Sequence, residues 1–85
     1  MGECEAGREY MIAVGFGWMF VGRFVRPAGM FGGVFDRVRN ICRTGGVPWD
    51  DLCRGRRRDE ATIRAYPDGE VCFPSITFAV PWADD

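Results

Sequence analysis

The sequence predicts a mainly β fold with a minor helical part: a bent antiparallel sheet or small barrel of about five strands with one short helix. Short apolar segments recur along the chain, and glycine- or proline-containing turns separate them. Twelve aromatic residues among 85 supply the large side chains that a small core requires. We expect one domain at residues 10–82, preceded by a loose arm at residues 1–9 and followed by an acidic tail at residues 83–85.

Two apolar segments around a glycine-rich turn indicate the first hairpin. Tyr10–Val14 is apolar at every position, which is typical of a strand covered on both faces. Gly15-Phe16-Gly17 supplies the positive φ values of a tight turn. The second strand is predicted from Trp18 to Arg26, with Gly22 as a bulge or bend. One face of this strand is expected to carry Trp18, Phe20 and Phe24.

The middle of the chain predicts a third strand and a short helix. Arg26-Pro27-Ala28-Gly29 is expected to form the second turn, and a strand follows from Met30 to about Cys42. A helix at Asp36–Arg43 is an open alternative, because three apolar residues there have i, i+3, i+7 spacing. Pro48–Cys53 predicts a helix of one to two turns, since proline suits a first helical turn and the two following aspartates suit its positive end.

The last third predicts a hairpin and a final strand. Ala61–Tyr66 and Glu70–Phe73 flank Pro67-Asp68-Gly69, a sequence typical of a hairpin turn. Ser75–Val80 alternates, which predicts a strand with Ile76, Phe78 and Val80 facing inward and Pro81 ending it. Trp82 then has two interpretations: a lid on the core or an exposed anchor for a partner.

The composition argues against catalysis. The chain has no His, Lys or Gln and one Ser, so the usual general bases and activated nucleophiles are missing. Its four cysteines are 38, 11 and 19 positions apart, unlike the short paired spacings of zinc sites. We therefore expect no enzyme activity, no catalytic residue, no metal and no cofactor. The cysteines are expected to be reduced and buried: Cys4, Cys42, Cys53 and Cys72.

The sequence predicts a cytoplasmic protein with no membrane partner. The longest apolar run, from Tyr10 to Gly22, is 13 residues long. A membrane-spanning helix needs roughly 18–20 such residues.

Charge is distributed unevenly along the chain. The formal net charge is −1, but residues 21–58 carry nine Arg and three Asp, whereas residues 1–20 and 59–85 are both net acidic. Such asymmetry has two interpretations: a surface that meets a charged partner, or segments whose charges the fold mixes into a balanced surface. The candidate partner-binding set is Trp49, Arg54, Arg56, Arg57 and Arg58, since Arg and Trp are enriched at binding hot spots. The alternative is an acidic face that mimics nucleic acid, formed by Asp59, Glu60, Asp84 and Asp85.

Two motifs carry a resemblance to a known group of proteins. Gly17-Trp18-Met19-Phe20-Val21-Gly22-Arg23, followed by Pro67-x-Gly69-x-Val71-x-x-Pro74, resembles small uncharacterised phage and prophage β-proteins with a Gly-Trp-x-Phe-Val-Gly-Arg hairpin. The similarity spans about residues 10–80. Those proteins carry Arg-Arg-Trp-Gly-Thr where this chain has Cys42-Arg43-Thr44-Gly45-Gly46, so a role tied to that stretch is not carried over. The resemblance implies a mobile-element origin and a compact β fold.

Size and the lack of catalytic residues further suggest an analogy with anti-CRISPR and other anti-defence inhibitors. The expected function is steric inhibition of a host defence protein or protein–nucleic-acid complex. One alternative is a nucleic-acid-binding regulator that uses the Arg54–Arg58 cluster, although nucleic-acid-binding domains usually have a pI above about 9 and this chain's is ≈ 5.4. A second alternative is a phage structural or accessory protein.

Overall fold

The computed structural model describes residues 4–83 and confirms the mainly β prediction. Six strands form one open antiparallel sheet, and one short helix, α1 (Trp49–Cys53), packs against it. Single 3₁₀ turns lie at Gly15–Gly17 and Arg58–Glu60. The strands are β1 (Glu9–Val14), β2 (Trp18–Ala28), β3 (Gly32–Arg43), β4 (Thr62–Ala65), β5 (Val71–Phe73) and β6 (Phe78–Pro81).

The sheet places the first strand between β2 and the edge strand β6. The strand order is β4-β3-β2-β1-β6, and β5 lies beside β3 on the same edge as β4. The first hairpin is confirmed: Val14 pairs with Trp18 across the Gly15–Gly17 turn. The second turn is three residues later than predicted, at residues 29–31, because β2 continues through Pro27 to Ala28. A register irregularity between Phe24 and Arg26 accompanies this extension.

The helical alternative for Asp36–Arg43 is wrong, and a bulge explains the helix-like spacing. Val21 pairs with Arg39 and Arg23 pairs with Asp36, so two residues of β3 oppose the single Gly22 of β2. Arg37, at the bulge, has φ of 52°. The extra residue resets the two-residue alternation of the strand. Apolar residues three apart, Phe35 and Val38, therefore enter the same core cluster, as they would on one face of a helix.

The predicted hairpin around Pro67-Asp68-Gly69 is also wrong. Thr62–Ala65 pairs with the C-terminal part of β3, and Val71–Phe73 pairs with its N-terminal part. Both strands run antiparallel to β3, so they follow one another along its edge instead of folding back on each other. Residues 66–70 form the loop that connects β4 to β5. A twelve-residue strand offers pairing sites for both segments, and this pairing prevails over the local turn signal.

Both faces of the sheet are covered, as the apolar first hairpin predicts. One cluster contains Tyr10, Ile12, Phe20, Phe24, Phe35, Val38, Phe73 and Ile76. The opposite face carries Met11, Val21, Ile41, Val47, Leu52, Cys53 and Trp82, so α1 and the chain after β6 cover it. Trp82 is 5% exposed, which confirms the interpretation as a core lid.

The last strand is shorter than predicted and is not alternating throughout. It begins at Phe78, and the preceding Ile76 donates its backbone N–H to the Phe31 carbonyl instead of pairing with β1. Ile76 is buried and Val80 half-buried, but Phe78 is 47% exposed, so its predicted inward position is wrong. Phe78 pairs with Ala13 near the end of β1, and among residues 4–83 no strand pairs with the outer edge of β6.

Both described ends of the chain are tied to the fold. In the predicted arm, Gly7 donates its N–H to the Phe24 carbonyl, and Glu5 donates its N–H to the Tyr10 hydroxyl. At the other end, the Ala83 N–H donates to the Cys53 carbonyl at 2.8 Å.

Candidate functional site

Helix α1 and the residues after it carry the predicted basic cluster. Asp50 and Asp51 lie in the first turn, where the helix dipole favours acids. The helix ends in a Schellman motif: the Arg56 N–H donates to the Asp51 carbonyl at 2.8 Å, and the Gly55 N–H donates to the Leu52 carbonyl at 3.1 Å. Gly55 has φ of 86°, the left-handed conformation that this motif requires. The backbone leaving the helix is therefore fixed by hydrogen bonds.

Arg58 holds this segment in place through contacts with backbone carbonyls and with Trp82. Its Nε donates to the Leu52 carbonyl at 2.7 Å, and its Nη2 donates to the carbonyls of Cys53 at 3.3 Å and Ala83 at 2.8 Å. Its guanidinium carbon lies 3.8 Å from the centroid of the Trp82 ring, a cation–π arrangement. Arg58 thus joins the end of α1 to the chain after β6, and its guanidinium is engaged inside the protein.

The other three arginines of the cluster point toward solvent beside acidic partners. Arg54 lies 4.0 Å from Asp50 and Arg56 lies 3.5 Å from Asp51. The side chains of Arg54, Arg56 and Arg57 are 64%, 63% and 55% exposed. Exposed pairs contribute at most about 1 kcal/mol and exchange readily for other partners. These arginines therefore remain available for binding.

The predicted acidic face and the predicted basic set lie on the same surface. Arg57 donates from Nε and Nη2 to the two carboxylate oxygens of Glu60, at 2.5 and 3.1 Å. Hydrogen bonding from Arg57, with its positive charge, lowers the pKa of the Glu60 carboxyl. Asp59 is exposed in the same 3₁₀ turn. The other two members of the acidic set, Asp84 and Asp85, lie outside the described residues.

We call the segment from Trp49 to Glu60 the charged loop face. It contains four arginines and four acidic residues, so its formal charge is zero. Trp49, at the start of α1, is 37% exposed and adds an aromatic side chain to this surface. A groove of about 310 Å³ borders it and is lined in part by Asp50, Arg54 and Trp82. The face suits a partner with mixed charge.

The cysteines show no arrangement for metal binding within residues 4–83, where no group of three or more His, Cys, Asp or Glu side chains comes together. None of the four cysteines, all within residues 4–83, is in a disulfide bond. Cys53 is buried, and burial raises the pKa of its thiol, which disfavours the reactive thiolate. The prediction that all four are buried is wrong for Cys42 and Cys72, which are exposed.

Sequence reasoning missed a second surface, an apolar rim at the tips of the first two hairpins. Its members are large apolar side chains that the fold leaves exposed: Phe16, Trp18, Met30, Phe31 and Phe78, at 105%, 58%, 81%, 66% and 47%. Trp18 was expected on the same face of β2 as the buried Phe20 and Phe24, but it is the first residue of β2, beside the turn, and is more than half exposed. The available signal was Phe16 itself, an aromatic residue between two turn glycines.

Backbone hydrogen bonds bring the two hairpin tips together. Ile76 donates its N–H to the Phe31 carbonyl at 2.7 Å, and the adjacent Thr77 donates its N–H to the Ala13 carbonyl at 2.8 Å. Because neighbouring backbone nitrogens are less than about 4 Å apart, these two carbonyl oxygens lie within roughly 10 Å of each other. The sheet thus curves until the β2–β3 tip reaches the end of β1 that carries the first turn.

The fold is a small antiparallel β domain that carries two distinct exposed surfaces, the charged loop face and the apolar rim. Comparisons with protein-family models, curated proteins and solved structures find no match to this chain. In residues 4–83, no helix has the length and apolar character needed to span a membrane.

Proposed function

We propose that this chain is a phage- or mobile-element-encoded inhibitor. It binds a host defence protein or protein–nucleic-acid complex in the bacterial cytoplasm and blocks it sterically, in the manner of anti-CRISPR proteins. The proposed contact surface is the charged loop face, with Trp49, Arg54, Arg56 and Arg57 touching the partner and Arg58 positioning them. The observation that carries the proposal is that hydrogen bonds hold the backbone of this face in one conformation.

Rigid mounting favours binding because it lowers the entropy that association costs. Ordering a flexible loop and its side chains costs about 0.5–1.5 kcal/mol per side chain. Here the Schellman motif and the three hydrogen bonds of Arg58 hold the backbone that displays Arg54 and Arg56. A preorganised surface of Arg and Trp is the usual composition of a binding hot spot.

The balanced charge of the face favours a protein surface over naked nucleic acid. Each of Arg54, Arg56 and Arg57 has an acidic side chain within 4.0 Å. A phosphate backbone would be attracted by the arginines and repelled by their four acidic neighbours. A protein surface of alternating charge, by contrast, can pair with both.

The test is protection of a targeted phage in a bacterium with an active defence system, together with binding to the purified defence complex. The chain is expected to raise the number of plaques and to bind the complex directly. The double variant Arg54→Gln/Arg56→Gln should weaken binding by at least about tenfold. Arg26→Gln is the matched control, because Arg26 is 58% exposed in an ion pair with Glu70 on another part of the sheet; its affinity should change by less than about twofold.

Four results would contradict the proposal or one part of it. Failure to protect phage from any defence system tested would remove the inhibitory function. Equal loss in the double variant and in Arg26→Gln would remove the charged loop face as the contact surface. Binding to DNA or RNA at about 50 mM salt that falls steeply as salt rises would favour the nucleic-acid-binding regulator. Loss of binding on Asp59→Asn alone would assign the contact to the acidic residues.

A further inference from the structure

The apolar rim is free of charge as well as exposed. The three segments that contribute its members, residues 13–22, 27–35 and 71–79, contain no Asp, Glu, Lys or Arg. Depletion of charge together with aromatic and Met enrichment distinguishes the core of a protein interface from ordinary surface. The rim has this composition, whereas the charged loop face does not.

The exposed area of the rim is that of an interface. Taking roughly 200 Å² for each of its large side chains and the exposed fractions of its five members, the rim presents roughly 700 Å² of apolar surface. Exposed apolar patches on soluble monomers rarely exceed about 300–600 Å². A stable dimer of standard size buries about 800 Å² per partner. The rim and its immediate surroundings therefore supply the area that one subunit contributes to a dimer.

The backbone at the tip of the rim holds an aromatic side chain in an unfavourable conformation. Phe16 has φ of 61° and ψ of 20°, in the left-handed region, and its side chain is fully exposed. This conformation costs a bulky residue about 1–2 kcal/mol relative to the right-handed region, and Gly or Asn adopts it more easily. Among residues 4–83, Phe16 belongs to neither core cluster, so no core packing of the described residues offsets this cost.

We propose that the apolar rim is a homodimer interface, and that its occupant is the rim of a second copy of this chain. Two identical charge-free surfaces meet without burying an unpaired charge, and a two-fold axis makes each the partner of the other. Phe16 is the central anchor. This inference uses different residues from those of the proposed inhibitory function and does not depend on it.

The position of the charged loop face favours a second copy of the chain over a lipid bilayer as the occupant of the rim. Apolar loops that enter a bilayer usually have cationic residues beside them to contact anionic headgroups. Here the charged loop face lies at the other end of β1: Trp82 donates its N–H to the Glu9 carbonyl, whereas the rim adjoins Val14. The strand separates these ends by roughly 16 Å. In a rim-to-rim dimer, the two charged loop faces point away from the interface.

The experiment is sedimentation velocity and light scattering on the purified chain over a concentration series. We expect a species of twice 9.6 kDa that dissociates on dilution. The double variant Phe16→Asn/Met30→Gln should weaken dimerisation by at least about tenfold. Trp49→Gln is the control, since it removes an exposed aromatic residue outside the rim; it should change dimerisation by less than about twofold.

The variant Phe16→Asn also distinguishes loss of the dimer interface from loss of the fold. Because Asn tolerates the left-handed conformation better than Phe, Phe16→Asn alone should keep the wild-type circular dichroism spectrum and melt no lower than the wild-type monomer. A chain that stays monomeric up to about 100 µM overturns the inference. Dimers that persist undiminished in Phe16→Asn/Met30→Gln, or a monomer that binds neutral phosphatidylcholine vesicles instead of itself, overturn it as well.

Discussion

Replacing Arg58 by Ala tests whether this arginine holds the charged loop face. Among the described contacts, the substitution removes the hydrogen bonds from Nε to the Leu52 carbonyl and from Nη2 to the carbonyls of Cys53 and Ala83. It also removes the stacking of the guanidinium on Trp82 at 3.8 Å. Because one charged group joins α1 to the chain after β6, its loss should loosen both segments.

The expected loss of stability is about 3 kcal/mol. A hydrogen bond from a charged donor contributes about 1.5–3 kcal/mol, and a cation–π contact about 0.5–2 kcal/mol. Part of the hydrogen-bonding term is recovered, because water can reach carbonyls at this partly exposed position. A domain of this length has a total stability of roughly 4–13 kcal/mol. The loss is therefore a large fraction of the whole and should lower Tm by roughly 12–24 °C.

The assay is urea and thermal unfolding of wild type, Arg58→Ala, Arg58→Lys and Arg57→Ala, followed by circular dichroism at one chain concentration. Arg58→Lys keeps the charge but not the planar group that reaches three carbonyls, so it should fall between wild type and Arg58→Ala. Arg57→Ala breaks only an exposed pair with Glu60 and should cost less than about 1 kcal/mol. Equal stability of Arg58→Ala and Arg57→Ala would refute the reasoning.

Three further predictions concern the sheet and its core. Gly32→Ala should unfold the chain or lower its Tm sharply in a thermal scan. An added Cβ would lie 2.2 Å from the Phe73 carbonyl oxygen, a backbone atom that cannot move aside. A Tm equal to that of wild type would contradict this prediction. Leu52→Ala, at a fully buried position, should cost about 2–5 kcal/mol in urea unfolding, and a loss below about 1 kcal/mol would show that α1 covers little of the core. Arg23 donates two hydrogen bonds to the Asp36 carboxylate, at 2.7–2.8 Å, and these bonds and its charge lower the pKa of Asp36. The ion pair therefore stabilises the fold above the ordinary Asp pKa, and this stabilisation is lost as the pH falls through the lowered pKa of Asp36. Asp36→Asn should therefore be less stable than wild type near neutral pH but not at strongly acid pH, and a pH-independent difference would contradict the linkage.

The sequence was sufficient for elements whose determinants are local. The first hairpin depends on two apolar segments and the glycines at 15 and 17, and it forms where predicted. Helix α1 depends on Pro48 and on the two aspartates after it, and it begins within one residue of the predicted position. In each case the signal and the structure it predicts lie within about ten residues of each other.

The errors occur where distant segments compete for pairing. Pro67-Asp68-Gly69 has the residues of a hairpin turn, yet β3 pairs with the segments on both sides of it. Phe35 and Val38 have a helical spacing that a bulge opposite Gly22 produces in a strand. Neither result follows from local propensity, because each depends on which part of the chain lies beside β3.

In the candidate sites, too, features with local determinants were predictable and features that depend on the tertiary fold were not. The arginine cluster was predictable from composition, but the internal role of Arg58 depends on its nearness to Ala83, 25 positions along the chain. The apolar rim was not predicted, since exposure of Trp18 and Phe78 depends on where the sheet ends. Apolar patterning indicates that a residue can enter a core, and only the tertiary fold determines whether it does.

The position of β1 between β2 and β6 also sets an order for folding during synthesis. The hairpins of β1, β2 and β3 can form as soon as residue 43 has left the ribosome, but β1 then has an open edge. That edge is covered only after Phe78–Pro81 has been made, and Trp82 closes the α1 side of the core still later. Translation arrested before Phe78 should therefore yield a nascent sheet that associates with other chains.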